Sequence, residues 1–517
     1  MTILDQAVHA PRVDPSALYV VGDAAEGYLV DKRQVKVWAI APSLVDTVRL
    51  TLAAARSAQE ENHPLDPRIA EVLEAWCGQP SHFPSGFAAL ESELEPEVEG
   101  DPHDRRVLPN LAINVANDCN LSCTYCYANK GFYEGPKGLL GADDARAIAR
   151  RFIDEFDDVA GVQFMGGEPS MSEPAMRAVA EEFERALAAG QVTSRPTYRI
   201  VTNAVVFTPR FLDLCERHDV QLTVSLDGPQ GVHDSARPRV GGSGSYDAVR
   251  RNVDVALARG LQVGFEPTFS MAHLRAGCSL VDLLCWFHDE FGVPVLHAPP
   301  MSRNRYLEDD GLGLSVEDKV EQFCSASAWS IDRLLGTGDL LMHDYTLRIL
   351  VGLSKREVNE FICPAGNSQI AVSTAGELSP CWMFTDEASV DMGSVWDREP
   401  IIEQAQPVLD TLAALELRDH PVCQACVMQP VCFGCKGGDF HEGSALDAKP
   451  NCDYMRAMLA TVISTVLRRD RESATASLGE RVWPELRPVV ASSLGDGPGR
   501  PPTGPRPVML PMPRVRA

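Results

Sequence analysis

The sequence predicts an α/β protein with parallel βα units at its centre, and three observations carry this. Between residues 106 and 300, short apolar runs alternate with amphipathic helical patterns, and alternation at that length implies parallel strand–helix units. Residues 1–105 carry three short strand patterns followed by helical periodicity, a small α+β unit of their own. Residues 361–470 are dense in cysteine and form a third unit.

In chain order, residues 18–22, 27–30 and 35–40 read as strands, and 44–58 and 67–77 as helices with an apolar stripe. The acidic, Pro-containing stretch 91–103 reads as a linker. Central strands are expected at 111–115, 162–165, 198–201, 222–225, 262–269 and 293–296. Helices are expected between them at 143–156, 173–189, 209–217, 246–259 and 279–291. Ligand sites in such sheets lie at the strand C-terminal ends. Residues 301–360 read as a helical bridge. Residues 457–467 read as a buried helix too short to span a bilayer. The tail 471–517 is rich in Pro, Gly and Arg and has too little apolar surface to fold, so it is expected to be disordered.

With 517 residues, 45% hydrophobic and 23% charged, the chain suits two to four globular domains. Its net charge of −25 argues against a general nucleic-acid binder and against docking on anionic membrane. The first residues lack a basic start followed by an apolar core, so the expected location is the cytoplasm. There, fifteen cysteines point to metal binding or catalysis rather than disulfides.

Cys119, Cys123 and Cys126, with Tyr125 before the last, follow the first central strand. Thiolates suit iron–sulfur clusters and zinc. Three on one loop can hold three corners of a four-iron cluster and leave one iron open for a ligand. A zinc knuckle or three buried thiols are the alternatives, although structural zinc sites close with four ligands and no Cys or His follows closely enough to complete one locally. Gly166-Gly167-Glu168-Pro169 follows the second strand, where glycines admit a close ligand and a carboxylate can accept from an ammonium group. Thr202-Asn203-Ala204 ends the third. Ser225-Leu226-Asp227-Gly228-Pro229 ends the fourth, with His233, Asp234, Arg237 and Gly244-Ser245-Tyr246 beyond. Each polar residue here also reads as a cap or turn former.

Taken together, these segments resemble the radical S-adenosylmethionine (radical SAM) superfamily, with its CxxxCxxC loop, its GGEP motif and the SxDGP…HD…R…GS(F/Y) run of members that carry a SPASM domain. Ala204 departs from the family's TNG. The resemblance implies a partial (β/α)6 TIM-like barrel with a [4Fe–4S] cluster on Cys119, Cys123 and Cys126. It implies SAM contacts from Tyr125, Gly166, Gly167, Glu168, Pro169, Asn203, Ser225, Asp227 and Arg237, the last pairing with the SAM carboxylate. The implied chemistry is reductive cleavage of SAM to a 5′-deoxyadenosyl radical that takes hydrogen from unactivated carbon.

Cys363, Cys381, Cys423, Cys426, Cys432, Cys435 and Cys452 form a second set, with Gly376 between the first two. Their order resembles the SPASM domain, which implies two auxiliary [4Fe–4S] clusters: Cys363, Cys381 and Cys435 for the first, and Cys423, Cys426, Cys432 and Cys452 for the second. Cys432 and Cys435 are separated by two residues where the family usually has three, and that leaves the partition open. A zinc ribbon or a redox CxxC are the other readings. Ser368 stands near where sulfatase-maturing members carry an extra cysteine. Cys77, Cys215, Cys278, Cys285 and Cys324 read as small core residues.

The family resemblance points to an oxidoreductase that modifies a peptide or protein substrate, a maturase of a ribosomally synthesised precursor peptide, served by a flavodoxin or ferredoxin as electron donor. The product is a crosslink, thioether or oxidation. Dehydrogenation of a small molecule, sulfatase-type protein oxidation and a non-catalytic iron–sulfur scaffold are the alternatives. The N-terminal unit resembles a winged-helix leader-peptide recognition element, whose sheet edge can add a peptide strand; its alternative is a simple barrel cap. Glu266, His297, His343 and Asp344 are unranked candidate acids and bases.

Overall fold

The computed structural model of the chain describes residues 14–84, 106–301, 313–438 and 452–472, apart from 24, 62, 64, 134, 357, 360, 361, 367, 386 and 418. The expected linker 91–103 and the tail beyond 472 lie outside the described residues.

Strands β1 (Leu18–Gly22), β2 (Gly27–Asp31) and β3 (Lys36–Ile40) form an antiparallel sheet in that order, followed by α1 (Val45–Glu60) and α2 (Pro67–Cys77). One face, with Leu18, Leu29 and Trp38, packs on Val48, Leu52 and Leu73. The other, with Val21, Tyr28, Val30 and Val37, belongs to the main core. Coverage of both faces explains why every residue of β2 is buried. The outer edge of β3 is closed by the chain itself. Ser81 Oγ accepts from Val37 N at 3.0 Å, His82 N donates to Val37 O at 2.7 Å, and His82 Nδ1 accepts from Ala39 N at 3.0 Å. At β1, Arg56 and Arg49 donate to the carbonyls of Leu18 and Gly22.

The central strands are β4 (Asn110–Asn117), β5 (Gly161–Gly166), β6 (Thr197–Thr202), β7 (Gln221–Val224) and β8 (Val263–Phe265). They pair in parallel in the order β8-β7-β6-β5-β4. Helices α3 (Ala142–Glu155), α4 (Glu173–Ala188) and α5 (Pro209–His218) cover the outside through Ile148, Phe152, Val179, Phe183 and Phe211. With helices outside and side chains filling the inside, β4 is buried at nearly every position. Then follow α6 (Gln230–Ala236), α7 (Tyr246–Ala258) and α8 (Leu280–Phe291).

The strand expected at 262–269 ends at Phe265, because Pro267 has no N–H to continue a ladder. The sixth expected strand, β9 (Val295–Leu296), pairs in parallel with β10 (Met342–His343). It meets the chain beyond β8 through one bridge, Phe269 to Pro300. The result is an open, partial barrel. Helices α9 (Val316–Thr337) and α10 (Asp344–Lys355) form the expected bridge.

The cysteine-rich region is built into the same sheet. Strand β11 (Gln369–Val372) pairs in parallel with β4, from Gln369 opposite Asn110 to Val372 opposite Ile113, and β12 (Leu378–Ser379) folds back on it. Helix α11 (Ile401–Ala413) follows, and the final helix α12 (Asp453–Glu472) packs along α9. None of the described helices is long and apolar enough to cross a membrane.

Candidate functional site

The three cysteines sit on the loop that leaves the C-terminal end of β4. The segment after α6 holds this loop: Ser122 N donates to Pro238 O at 2.8 Å and Thr124 N to Ala236 O at 2.9 Å, and Leu121 bridges Arg239. Cys119 Sγ accepts from Leu121 N at 3.4 Å and lies 3.6 Å from Asn203 Nδ2. Around Cys126 the backbone turns left-handed at Asn129 (φ 47°), Lys130 (58°) and Gly131 (91°). That turn aims the N–H groups of Ala128, Lys130 and Gly131 at the Cys126 sulfur. Burial raises all three thiol pKa values, that of Cys123 to about 12. Such thiols stay neutral without a metal and ionise when one binds.

Gly166 and Gly167 let this loop lie flat on β5. A Cβ on Gly167 would overlap the carbonyls of Asp118 and Gly131, and one on Gly131 would stand 2.6 Å from Cys119 Cβ. Gly131 was not singled out from sequence; its signal is the left-handed run Asn-Lys-Gly. Glu168 is fully buried. Its carboxylate accepts from Ser170 N (3.0 Å), Thr202 Oγ1 (2.6 Å) and Asn203 N (2.7 Å), so it braces β5 to the end of β6, and Pro169 opens the turn beneath it. Asn203 holds Asn120 Oδ1 at 2.8 Å. Ala204 is buried at φ 53°, the conformation that a glycine adopts without strain.

Asp227 is the hub below the loop. Its carboxylate accepts from Tyr125 Oη at 2.5 Å and Thr268 N at 3.0 Å, and Arg237 Nε lies 3.0 Å away. Its backbone O accepts from His273 Nε2 at 2.7 Å, and its N donates to His233 Nδ1 at 3.2 Å. Burial alone would raise the Asp227 pKa; Arg237, His233 and His273 outweigh it and hold the value low. His233 Nε2 meets Ser245 Oγ at 2.9 Å, while Asp234 caps α7 by accepting from Ser245 N and Tyr246 N. Arg237 also stacks over the Tyr125 ring at 5.1 Å. The run Asp227–Arg237–Ser245 therefore forms a connected scaffold. His273, a second residue not singled out from sequence, completes it. Ser225 stands half-buried beside this scaffold at the end of β7.

Among the other cysteines, burial pushes the Cys381 thiol pKa well above its ordinary value, and the nearby Cys435 and Cys363 add to the rise. Its Sγ accepts from Met383 N at 3.5 Å, and Cys435 Sγ accepts from Gly438 N at 3.2 Å. Gly376 stands at φ 89° against Trp396, whose Nε1 donates to Ala375 O at 2.7 Å, so a side chain there is excluded. Cys423 and Cys426 bracket the end of a short helical turn (Pro421–Gln424), Cys432 follows a second turn (Gln429–Val431), and Cys452 immediately precedes α12. Arg456 Nη1 approaches Cys426 Sγ at 3.9 Å. From the N-terminal sheet, Lys32 Nζ reaches Gln429 Oε1 at 3.0 Å and Gln424 O. Among the described residues no three Cys, His, Asp or Glu side chains converge tightly on one ion; a cubane needs no such convergence, since each thiolate binds its own iron.

The structure also ranks the candidate acids and bases. His343 is buried, its pKa lowered to about 4, and it is spent on Ala298 and on Tyr345 N. His297 keeps 40% of its side chain exposed, and its Nδ1 lies 2.8 Å from Asp344 Oδ2. Burial would lower the His297 pKa, but Asp344 raises it above the ordinary value, and Asp344 itself falls to about 2. Arg348 Nε steadies the same oxygen at 3.2 Å. Glu266, His297 and Asp344 lie just past the ends of β8, β9 and β10, on the side of the barrel where the cysteine loop stands.

Residues 113–272, which span the cysteine loop and the Asp227 hub, match the Radical SAM superfamily. Cradled thiols and paired glycines are features that a cluster-bearing loop would need.

Among individual relatives, the radical SAM cyclopropyl synthase TigE of Paramaledivibacter caminithermalis is 21% identical over 209 residues, 36% of this chain and 43% of its own. The serine-type anaerobic sulfatase-maturating enzyme of Bacteroides thetaiotaomicron is 28% identical over 153 residues, 28% of this chain and 35% of its own. Each match spans less than half of its relative. The solved structure of native anSMEcpe with bound AdoMet superimposes with a TM-score of 0.57 at 16% identity, covering 69% of this chain and 97% of that one. Its complex with AdoMet and Cp18Cys peptide gives 0.56, also at 16% identity, covering 71% and 100%. These superpositions establish a shared fold.

Proposed function

We propose that the chain is a radical SAM enzyme that abstracts hydrogen from a peptide, maturing a ribosomally synthesised precursor. The observation that carries this is the cysteine loop itself, with three thiols at the mouth of the partial barrel, one facing three backbone N–H groups, above two glycines that admit nothing larger. When bound, the cluster and SAM supply a carbon-centred radical strong enough to break a C–H bond.

The protein's part is placement and exclusion of water. Cys119, Cys123 and Cys126 hold the cluster. Gly166 and Gly167 leave backbone free to approach the SAM amine, and Glu168 and Pro169 fix that backbone in place. Asn203 anchors the loop, and Ser225 offers a hydroxyl at the strand end. Asp227 sets Tyr125 and Arg237 so that the guanidinium can meet the SAM carboxylate. His297, held by Asp344, is the group best placed to exchange a proton with the substrate. Cys363, Cys381 and Cys435 would hold one auxiliary cluster, and Cys423, Cys426, Cys432 and Cys452 a second, within a SPASM-type domain. A low-potential donor such as a flavodoxin or ferredoxin would reduce the enzyme in the cytoplasm.

A peptide is favoured over a small molecule by the anSMEcpe fold, which was solved with a peptide. The match to a sulfatase-maturating enzyme favours oxidation of a protein side chain as the second reading. A leader peptide added at β3 would have to displace Ser81 and His82. Anaerobic reconstitution tests the proposal: about twelve irons per chain are expected at four per cluster, with 5′-deoxyadenosine formed from SAM and dithionite. Replacing all three loop cysteines by Ala should abolish that product; its survival would overturn the assignment.

A further inference from the structure

Behind the second cysteine set lies an ion pair that no part of the reaction above uses. Glu416 and Lys436 meet at 2.6 Å with side chains only 3% and 6% exposed. Isolated charges are not left this deep without a reason, since desolvating such a pair offsets most of its attraction. Its partners indicate the reason. The second Glu416 oxygen accepts from Ile362 N at 3.1 Å, one residue before Cys363. Lys436 directly follows Cys435, and its ammonium also reaches Leu412 O at 3.4 Å, at the end of α11. One carboxylate thus ties together the two chain segments that carry Cys363 and Cys435, which are more than seventy positions apart in the sequence.

The same residues face the Cys363 sulfur. The backbone N–H groups of Lys436 and Ala365 point at it, and the Lys436–Glu416 pair stands beside it. Hydrogen bonds and nearby charge are the levers by which a protein sets the potential of a cysteine-bound cluster.

We propose that Glu416 and Lys436 are positioning residues: a buried clamp that sets Cys363 and Cys435 side by side for one cluster and holds a charge pair against it. The inference rests on the auxiliary-cluster reading above. It also bears on the shortened Cys432–Cys435 spacing, because the clamp commits Cys435 to Cys363 independently of that spacing.

The test uses the full-length protein, reconstituted anaerobically, with iron counting and EPR-monitored redox titration. Lys436→Met removes a cation and should lower the midpoint of one auxiliary cluster, because the reduced cluster carries one more negative charge. Glu416→Gln removes an anion while keeping the contact to Ile362, and should raise the same midpoint. A purely structural role would move both variants in one direction or neither, and either result overturns the proposal. If a single variant does not assemble, Glu416→Leu/Lys436→Met, which replaces the pair with packed apolar groups, decides. It should lose about four of about twelve irons; retention of all iron with wild-type midpoints overturns the clamp. Formation of 5′-deoxyadenosine from SAM and dithionite, unchanged in every variant, separates failure of the clamp from failure of the radical SAM reading.

Discussion

The Asp227 carboxylate stands 3.0 Å from Arg237 Nε, in a buried floor directly under the cysteine loop. Because the same carboxylate takes the Tyr125 hydroxyl, one side chain orients both an aromatic ring and a guanidinium at the proposed cofactor site. Asp227→Asn keeps the shape but leaves the Arg237 charge unanswered. Losing one partner of a buried pair costs about 3–5 kcal/mol. Anaerobic guanidinium unfolding should show a loss of that size, and SAM should bind more weakly. Unchanged stability would mean that solvent already compensates Arg237.

Glycine geometry makes a paired prediction. Gly167→Ala forces a methyl group into the carbonyls of Asp118 and Gly131. It should cost the loop its cluster, read as loss of about four irons and of 5′-deoxyadenosine formation. Ala204→Gly should do the reverse to stability. A left-handed alanine is strained by about 1–2 kcal/mol, part of which glycine gives back in chain entropy. A gain of up to about 1 kcal/mol in unfolding free energy is expected, with iron content unchanged.

The His297–Asp344 pair gives a pH dependence. The folded-state pKa of His297 is raised, so its contribution to stability is complete below the ordinary histidine value and is lost as pH rises through the folded one. Asp344 is depressed to about 2, so its contribution is complete above the ordinary carboxylate value and fades as pH falls toward about 2. Diethyl pyrocarbonate reacts with neutral imidazole. Its modification of the His297 peptide, followed by mass spectrometry, should therefore show a midpoint above that of a free histidine. Asp344→Asn should bring the midpoint down. A midpoint indifferent to that change would remove His297 from the site.

Much of this architecture could be read from residue order. The central strands and helices fall within a residue or two of their expected bounds, apart from the strand cut short before Pro267, because apolar periodicity and helix caps are local signals. The cysteine loop, the GGEP turn and the Ser225–Asp227 strand end were legible for the same reason, since each follows a strand. Pairings between distant segments were not. Nothing local says that Glu168 spends its carboxylate on Thr202 and Asn203, that His273 reaches Asp227, or that Ser81 and His82 close the β3 edge. The ranking of His297 over His343 likewise depends on which ring remains exposed, a property of packing between β9 and β10.

Strand β11 has a consequence for how this protein can be divided. It lies beside β4, so the cysteine-rich region supplies a strand of the barrel wall. An excised fragment of residues 106–300 would present the amides of 110–113 as a raw border, an invitation to pair with other copies. Expressed alone, it should self-associate in light scattering more strongly than the intact chain. Main-chain pairing of residues 369–372 with 110–113 thus makes the border of one region the support of the other.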